Sequence, residues 1–209
     1  PMIETTLNLL LAAAAVAIAA WLRPWRALQG PPPWPALAVW ALLPLLWSLD
    51  STTAAPLLQP LSGVCVLLLM LGWPLTVLAL LPVGAVMWLM TGLDATGALH
   101  RVVWLGLMPA TLALGLGALV RHALPRHLFV YILGRGFFAT AIALAASGAL
   151  AAWLFGVPAT VPVADVMLAR VLAAFGDAFI TGMLAAIFVA FRPQWLATYA
   201  DHLYLKPLL

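Results

Sequence analysis

The chain has 209 residues, 66% of them hydrophobic and only 7% charged, with a formal net charge of +3. A soluble domain carries charge at about a quarter of its positions, so this composition excludes an ordinary soluble fold and predicts an all-α, polytopic transmembrane helix bundle. The sequence has no alternating strand pattern, which argues against a β-barrel, and its single cysteine, Cys65, has no partner for an intramolecular disulfide.

The apolar segments predict about seven spans. The first covers about 7–22, and Arg23-Pro24-Trp25-Arg26 ends it; Gln29-Gly30-Pro31-Pro32-Pro33 follows as a stiff, extended connection. Two short segments come next, 35–49 with Pro44 inside and 57–71 with Pro60 and Cys65 inside. Proline breaks of this kind also suit re-entrant or buried segments, which leaves six spans as the alternative. Gly72-Trp73-Pro74 is a tight turn that puts Pro74 at the start of the fourth segment, 75–93. Residues 94–101 read as a loop, 102–120 as the fifth span with Met108-Pro109 in it, and 128–155 as the sixth with Gly134-Arg135-Gly136. After the loop 156–165 comes the last span, 166–191, stopped by Arg192-Pro193 ahead of a tail with Tyr199, His202, Tyr204 and Lys206.

Lys/Arg asymmetry in short loops sets orientation. An outside N-terminus and cytoplasmic C-terminus put Arg23, Arg26, Arg121, Arg126, Arg192 and Lys206 inside, and Glu4, Asp50, Asp94 and Asp165 outside with Arg101. Tryptophans near the predicted helix ends, among them Trp21, Trp73, Trp153 and Trp195, suit interfacial anchoring. No polar linker interrupts residues 1–209, so they read as one integral membrane domain without a nucleotide-binding or soluble catalytic unit. The basic excess therefore reads as topology, not nucleic-acid affinity.

The last span is the most informative stretch. Asp177 lies near its middle, where a carboxylate costs on the order of 2.5–3.5 kcal/mol on insertion scales. Arg170 stands seven residues earlier on the same face, ~10 Å away at the helical rise, and Arg135 approaches from the sixth span. Two readings stay open. Asp177, Thr181, Arg135 and Arg170 line a polar substrate path, or an Arg–Asp pair staples two helices while Arg170 snorkels. Ala174, Ala178, Gly182 and Ala186 recur every four residues and form a smooth face for close helix packing.

His122 and His127 belong to a basic turn and read as solvated, whereas His100 lies on the outer side, where it can meet an incoming cation. Met87, Met90 and Met108 also fall toward that side; thioethers bind soft metals, although methionine equally serves to fill gaps in apolar bundles. His100, Met87, Met90 and Met108 are thus the candidate metal set. No nucleophile–base pair, P-loop or dinucleotide fingerprint occurs, which points to transport or membrane binding rather than catalysis.

The run Phe175-Gly176-Asp177-Ala178-Phe179-Ile180-Thr181-Gly182-Met183, followed by Phe191-Arg192-Pro193-Gln194-Trp195-Leu196-Ala197-Thr198-Tyr199, resembles energy-coupling-factor transporter permeases of the cobalt/nickel type. Leu71-Gly72-Trp73-Pro74-Leu75 and Leu128-Phe129-Val130-Tyr131 are similar to the same small proteobacterial branch, and the resemblance extends over about 57–204. It implies a substrate-capture permease subunit of the bacterial inner membrane that binds a transition-metal ion from outside and works with a second membrane subunit and cytoplasmic ATPase subunits. The family's histidine ligands are replaced here: Met2-Ile3-Glu4 holds none, Gln59-Pro60-Leu61-Ser62-Gly63 has proline, and Asp177 stands where the family has glutamate. The alternative expectation is a non-transporting membrane scaffold that packs against a larger complex through the Ala174–Ala186 stripe.

Overall fold

The structure is a computed structural model that describes residues 2–26, 32–52, 60–125, 127–157 and 161–199. The predicted positions Gln29, Arg126, His202, Tyr204 and Lys206 lie outside the described residues. Among those described there are helices and no strands. In chain order they are α1 (Met2–Trp21), α2 (Trp34–Thr52), α3 (Val64–Leu71), α4 (Trp73–Thr91), α5 (Ala95–Ala123), α6 (Val130–Phe155) and α7 (Val163–Phe191). Five of these, α1, α4, α5, α6 and α7, are long and apolar enough to cross a membrane. The apolar part of α2 is shorter, Trp34–Leu49, and α3 has only 8 residues, which is about 12 Å of helix.

Local chemistry explains where the helices depart from the sequence pattern. Residues 94–101 are not a loop. The Asp94 side chain accepts from the Gly97 amide and caps α5 one residue later, so that helix starts at Ala95. Pro109 has no N–H, so the Leu105 carbonyl lacks its usual donor four residues on. Here the helix widens into π-helical turns over Val102–Leu107. A second π-helical stretch, Val130–Phe138, opens α6 around Gly134 and Gly136.

The contacts at the two ends set helix directions. At one end Glu4 meets His100, Phe155 packs edge-on against His100 and Trp104, and Arg101 donates to the Trp47 carbonyl. The starts of α1 and α5 therefore share this Glu4 end with the finishes of α2 and α6. At the opposite end Trp34 packs on Trp195 at 5.8 Å, and Tyr131 Oη lies 2.8 Å from Thr198 Oγ1. There the starts of α2 and α6 join the segment after α7. Trp40 ties α2 to α4 by donating to the Ala79 carbonyl at 2.9 Å.

The core is built around α3, whose residues 64–70 are all buried. Around it α6 and α7 cross closely. A Cβ on Gly136 would sit 3.2 Å from Ala185 Cβ and 3.3 Å from Gly182 Cα, and a Cβ on Gly182 would sit 3.3 Å from Phe137 Cβ. Ala174, Ala178 and Gly182 are buried and Ala186 half-buried, so the small-residue stripe is turned into the bundle. The opposite face of α7 exposes Leu168, Leu172, Phe175, Phe179 and Met183, an apolar surface suited to lipid. Gly182→Leu should force α6 and α7 apart and lower stability by about 1–3 kcal/mol, measured as thermal unfolding in detergent; Phe179→Leu, on the exposed face, should leave it unchanged.

Candidate functional site

The polar centre of the bundle lies where α3 begins. The chain is non-helical from Pro60 to Gly63, and Gly63 takes φ 67°, a left-handed conformation natural to glycine. A helix start exposes backbone N–H groups that need acceptors. Here the acceptor is Asp177, in the middle of α7: Oδ2 takes the Ser62 N–H at 2.6 Å and Oδ1 takes the Gly63 N–H at 2.9 Å. The positive end of the α3 dipole reinforces the contact. Asp177 is only 4% exposed, so its charge is met by backbone rather than by solvent.

Ser62 is held by three helices at once. Besides its N–H on Asp177, its hydroxyl donates to the Leu105 carbonyl at 2.6 Å. Its own carbonyl accepts the Trp47 indole N–H at 2.9 Å. Trp47 reaches it because Gly106 leaves the room; a Cβ there would sit 2.8 Å from Trp47 Cη2. The far end of α3 is closed by the chain after α7. Ala197 N donates to Met70 O at 3.3 Å, and Thr198 donates to Leu69 O through both its N–H, at 3.2 Å, and its hydroxyl, at 3.0 Å.

The structure thus replaces the expected Arg–Asp pair. Neither Arg135 nor Arg170 comes within salt-bridge distance of Asp177, whereas Glu4 lies beside His100. Arg135 points instead to the tail: it donates to Thr198 O at 3.4 Å and lies 5.7 Å from the Tyr131 ring centroid, in space left by Gly117. Arg170 donates to the Gly148 carbonyl. Thr181 is buried one turn after Asp177, and its hydroxyl finds no hydrogen-bond partner.

A cavity of about 380 Å³ opens at the Glu4 end, with Glu4, Asp94, His100, Arg101, Trp104 and Arg170 in its walls. Pro60 and Leu105 also line it, which brings it down to the residues that adjoin Ser62. His100 Nδ1 lies 3.0 Å from Glu4 Oε1 and 3.3 Å from Asn8 Nδ2, and Asn8 Oδ1 accepts the Trp104 indole N–H at 2.8 Å. This network ties α1 to α5. The Thr96 hydroxyl and the Gly97 amide bond the Asp94 carboxylate and hold its pKa below the ordinary carboxylate value. That stabilisation is present above the unfolded-state pKa and is lost as pH falls through the lower folded value.

The candidate metal residues are not gathered together. His100 lines the cavity, but Met87, Met90 and Met108 do not. Met87 is fully buried and Met90, three residues on, is 48% exposed. Among the described residues no three His, Cys, Asp or Glu side chains are grouped to hold a metal ion. The groups that sequence reasoning passed over are Asn8, Trp47, Ser62 and Gly148. The legible signals were an amide one turn after Glu4 in an apolar helix, and a Ser-Gly pair beside Pro60. Comparison with protein-family models, curated proteins and solved structures finds no match to this chain.

Asp177→Asn leaves one acceptor for two N–H groups and should lower stability by about 1–3 kcal/mol, measured by thermal unfolding in detergent. Adding Arg135→Gln to that variant should not restore the loss, as it would for a broken buried ion pair. Acidification through the carboxylate range should loosen the first turn of α5, seen as faster amide exchange at Ala98, and Asp94→Asn should remove this pH dependence.

Proposed function

We propose that the chain is the substrate-capture permease subunit of an importer of the energy-coupling-factor type, multi-pass in a bacterial inner membrane. The observation that carries this reading is the position of the helix break. Solute sites in membrane transporters form at discontinuous helices near mid-membrane, where irregular backbone faces a cavity. Here the break at residues 60–63 adjoins a cavity of about 380 Å³, within the ordinary range for small-molecule sites.

In this reading the chain makes seven traversals, with α2 and the segment that holds the break at 60–63 and α3 added to the five long helices. The Trp195 end carries Arg23, Arg26, Arg121 and Arg192, and the Glu4 end carries Glu4, Asp94 and Asp165. Basic loops favour the cytoplasm, so the cavity faces outward and the tail clasp lies inside, beside the second membrane subunit and the ATPases. A transition-metal cargo is poorly served by His100 and Glu4 alone, and the mixed polar and aromatic wall suits a small polar solute better. The inward-turned stripe packs within the bundle, which favours the capture reading over a scaffold that would rely on that face.

Affinity purification from native membranes in mild detergent should retain a second membrane protein and cytoplasmic ATPase subunits; recovery of the chain alone overturns the importer reading. Orientation has a separate check. A membrane-impermeant maleimide should label Leu93→Cys in intact cells and Leu124→Cys only after permeabilisation, with little background because Cys65 is buried.

A further inference from the structure

Arg170 is a charge in the bundle that no carboxylate among the described residues answers. It lies in the second turn of α7, half-buried, in the wall of the cavity at the Glu4 end. Its guanidinium donates to one carbonyl, that of Gly148, while its Nε is buried with no hydrogen-bond partner. Among the described residues no carboxylate comes within salt-bridge distance of it; Glu4 is engaged by His100, and Asp94 is bonded to Thr96 and Gly97. The position is nevertheless a built one. A Cβ on Gly148 would lie 3.1 Å from Arg170 Cδ and 3.5 Å from its Cβ and Cγ, so glycine at 148 lets the arginine stem lie across α6.

A cation within a membrane bundle normally meets an anion, another protein group or water. Guanidinium is the side chain whose planar fork fits carboxylate and phosphate oxygens in pairs. The cavity beside it has room for a small organic molecule, and Trp104 and Leu105 offer apolar wall to its carbon skeleton. We propose that this cavity binds a small organic anion, carboxylate or phosphate, whose oxygens supply the counter-charge that Arg170 lacks among the described residues. The proposal rests on the capture reading of the cavity and names the chemical class of its cargo.

The test uses the full chain purified in a neutral maltoside detergent at fixed ionic strength, with acetate, benzoate and inorganic phosphate as probes and chloride as the control. At a hundredfold excess over Kd, at least one probe should raise the unfolding midpoint by roughly 5 °C. Arg170→Lys should keep part of the rise, and Arg170→Gln should abolish it. No rise with any probe, or an equal rise in Arg170→Gln, overturns the proposal.

Should Arg170→Gln not be recovered folded, the wild-type chain decides. A bound anion should slow phenylglyoxal modification of Arg170, read by peptide mass spectrometry, and unchanged modification overturns the site. The same protection assay in nanodiscs separates the sources of the oxyanion. Protection by soluble probes in pure phosphatidylcholine supports a solute, whereas protection only when phosphatidylglycerol is added assigns the oxyanion to a lipid headgroup and overturns the cargo proposal. Failure here with ATPase subunits still bound leaves the importer reading standing, and anion binding by a chain that purifies alone leaves the site without the importer.

Discussion

A carboxylate from one helix caps the backbone of another in the middle of the bundle, and most of the structure is arranged to permit it. Asp177 meets the amides of Ser62 and Gly63, and both sides of that contact would be unfavourable alone. An isolated carboxylate at that depth is expensive, and so are backbone N–H groups without acceptors in hydrocarbon. Together each satisfies the other, and the short helix α3 is permitted to start deep inside the protein rather than at its surface. Buried residues 64–70 then form the hub against which α4, α5, α6 and α7 pack.

The break has neighbours whose identity follows from the same accounting of donors and acceptors. Pro109 offers α5 no amide, and two carbonyls of the turn before it, those of Trp104 and Leu105, accept from the hydroxyls of Ser147 and Ser62. Gly106 gives Trp47 its path to the Ser62 carbonyl. One residue beneath the cavity is therefore tied to α2, α5 and α7 together. The irregular stretch has a fixed shape even though it lacks helical hydrogen bonds of its own.

Much of the fold was legible in the sequence because composition and apolar periodicity suffice to locate long lipid-facing helices. The last helix, its central carboxylate and the proline-broken third segment all stood out. The partner of Asp177 did not, because a sequence displays charged side chains but not the amides that a helix start sets free. Reasoning from charges alone therefore drew Arg135 and Arg170 toward Asp177, whereas one guanidinium serves the tail and the other the cavity. The start of α5 was missed for a related reason, since Asp94 was read by its charge and not as the cap it forms with Gly97. The cavity itself brings together residues from the start of α1, the start of α5 and the second turn of α7, a juxtaposition that no local pattern encodes.

The stretch Leu196-Ala197-Thr198-Tyr199, which stood out in the sequence only as part of a family-like motif, is the clasp on the carbonyl end of α3. Its place in the chain sets an order of events during synthesis. Residues 64–71 leave the ribosome more than a hundred positions before either group that terminates their hydrogen bonding. Until Asp177 and then Thr198 arrive, both tips of that helix require temporary hosts: water, lipid headgroups or the insertion machinery. The centre of the bundle is thus sealed late, because its first turns wait for residues placed more than a hundred positions further along the chain.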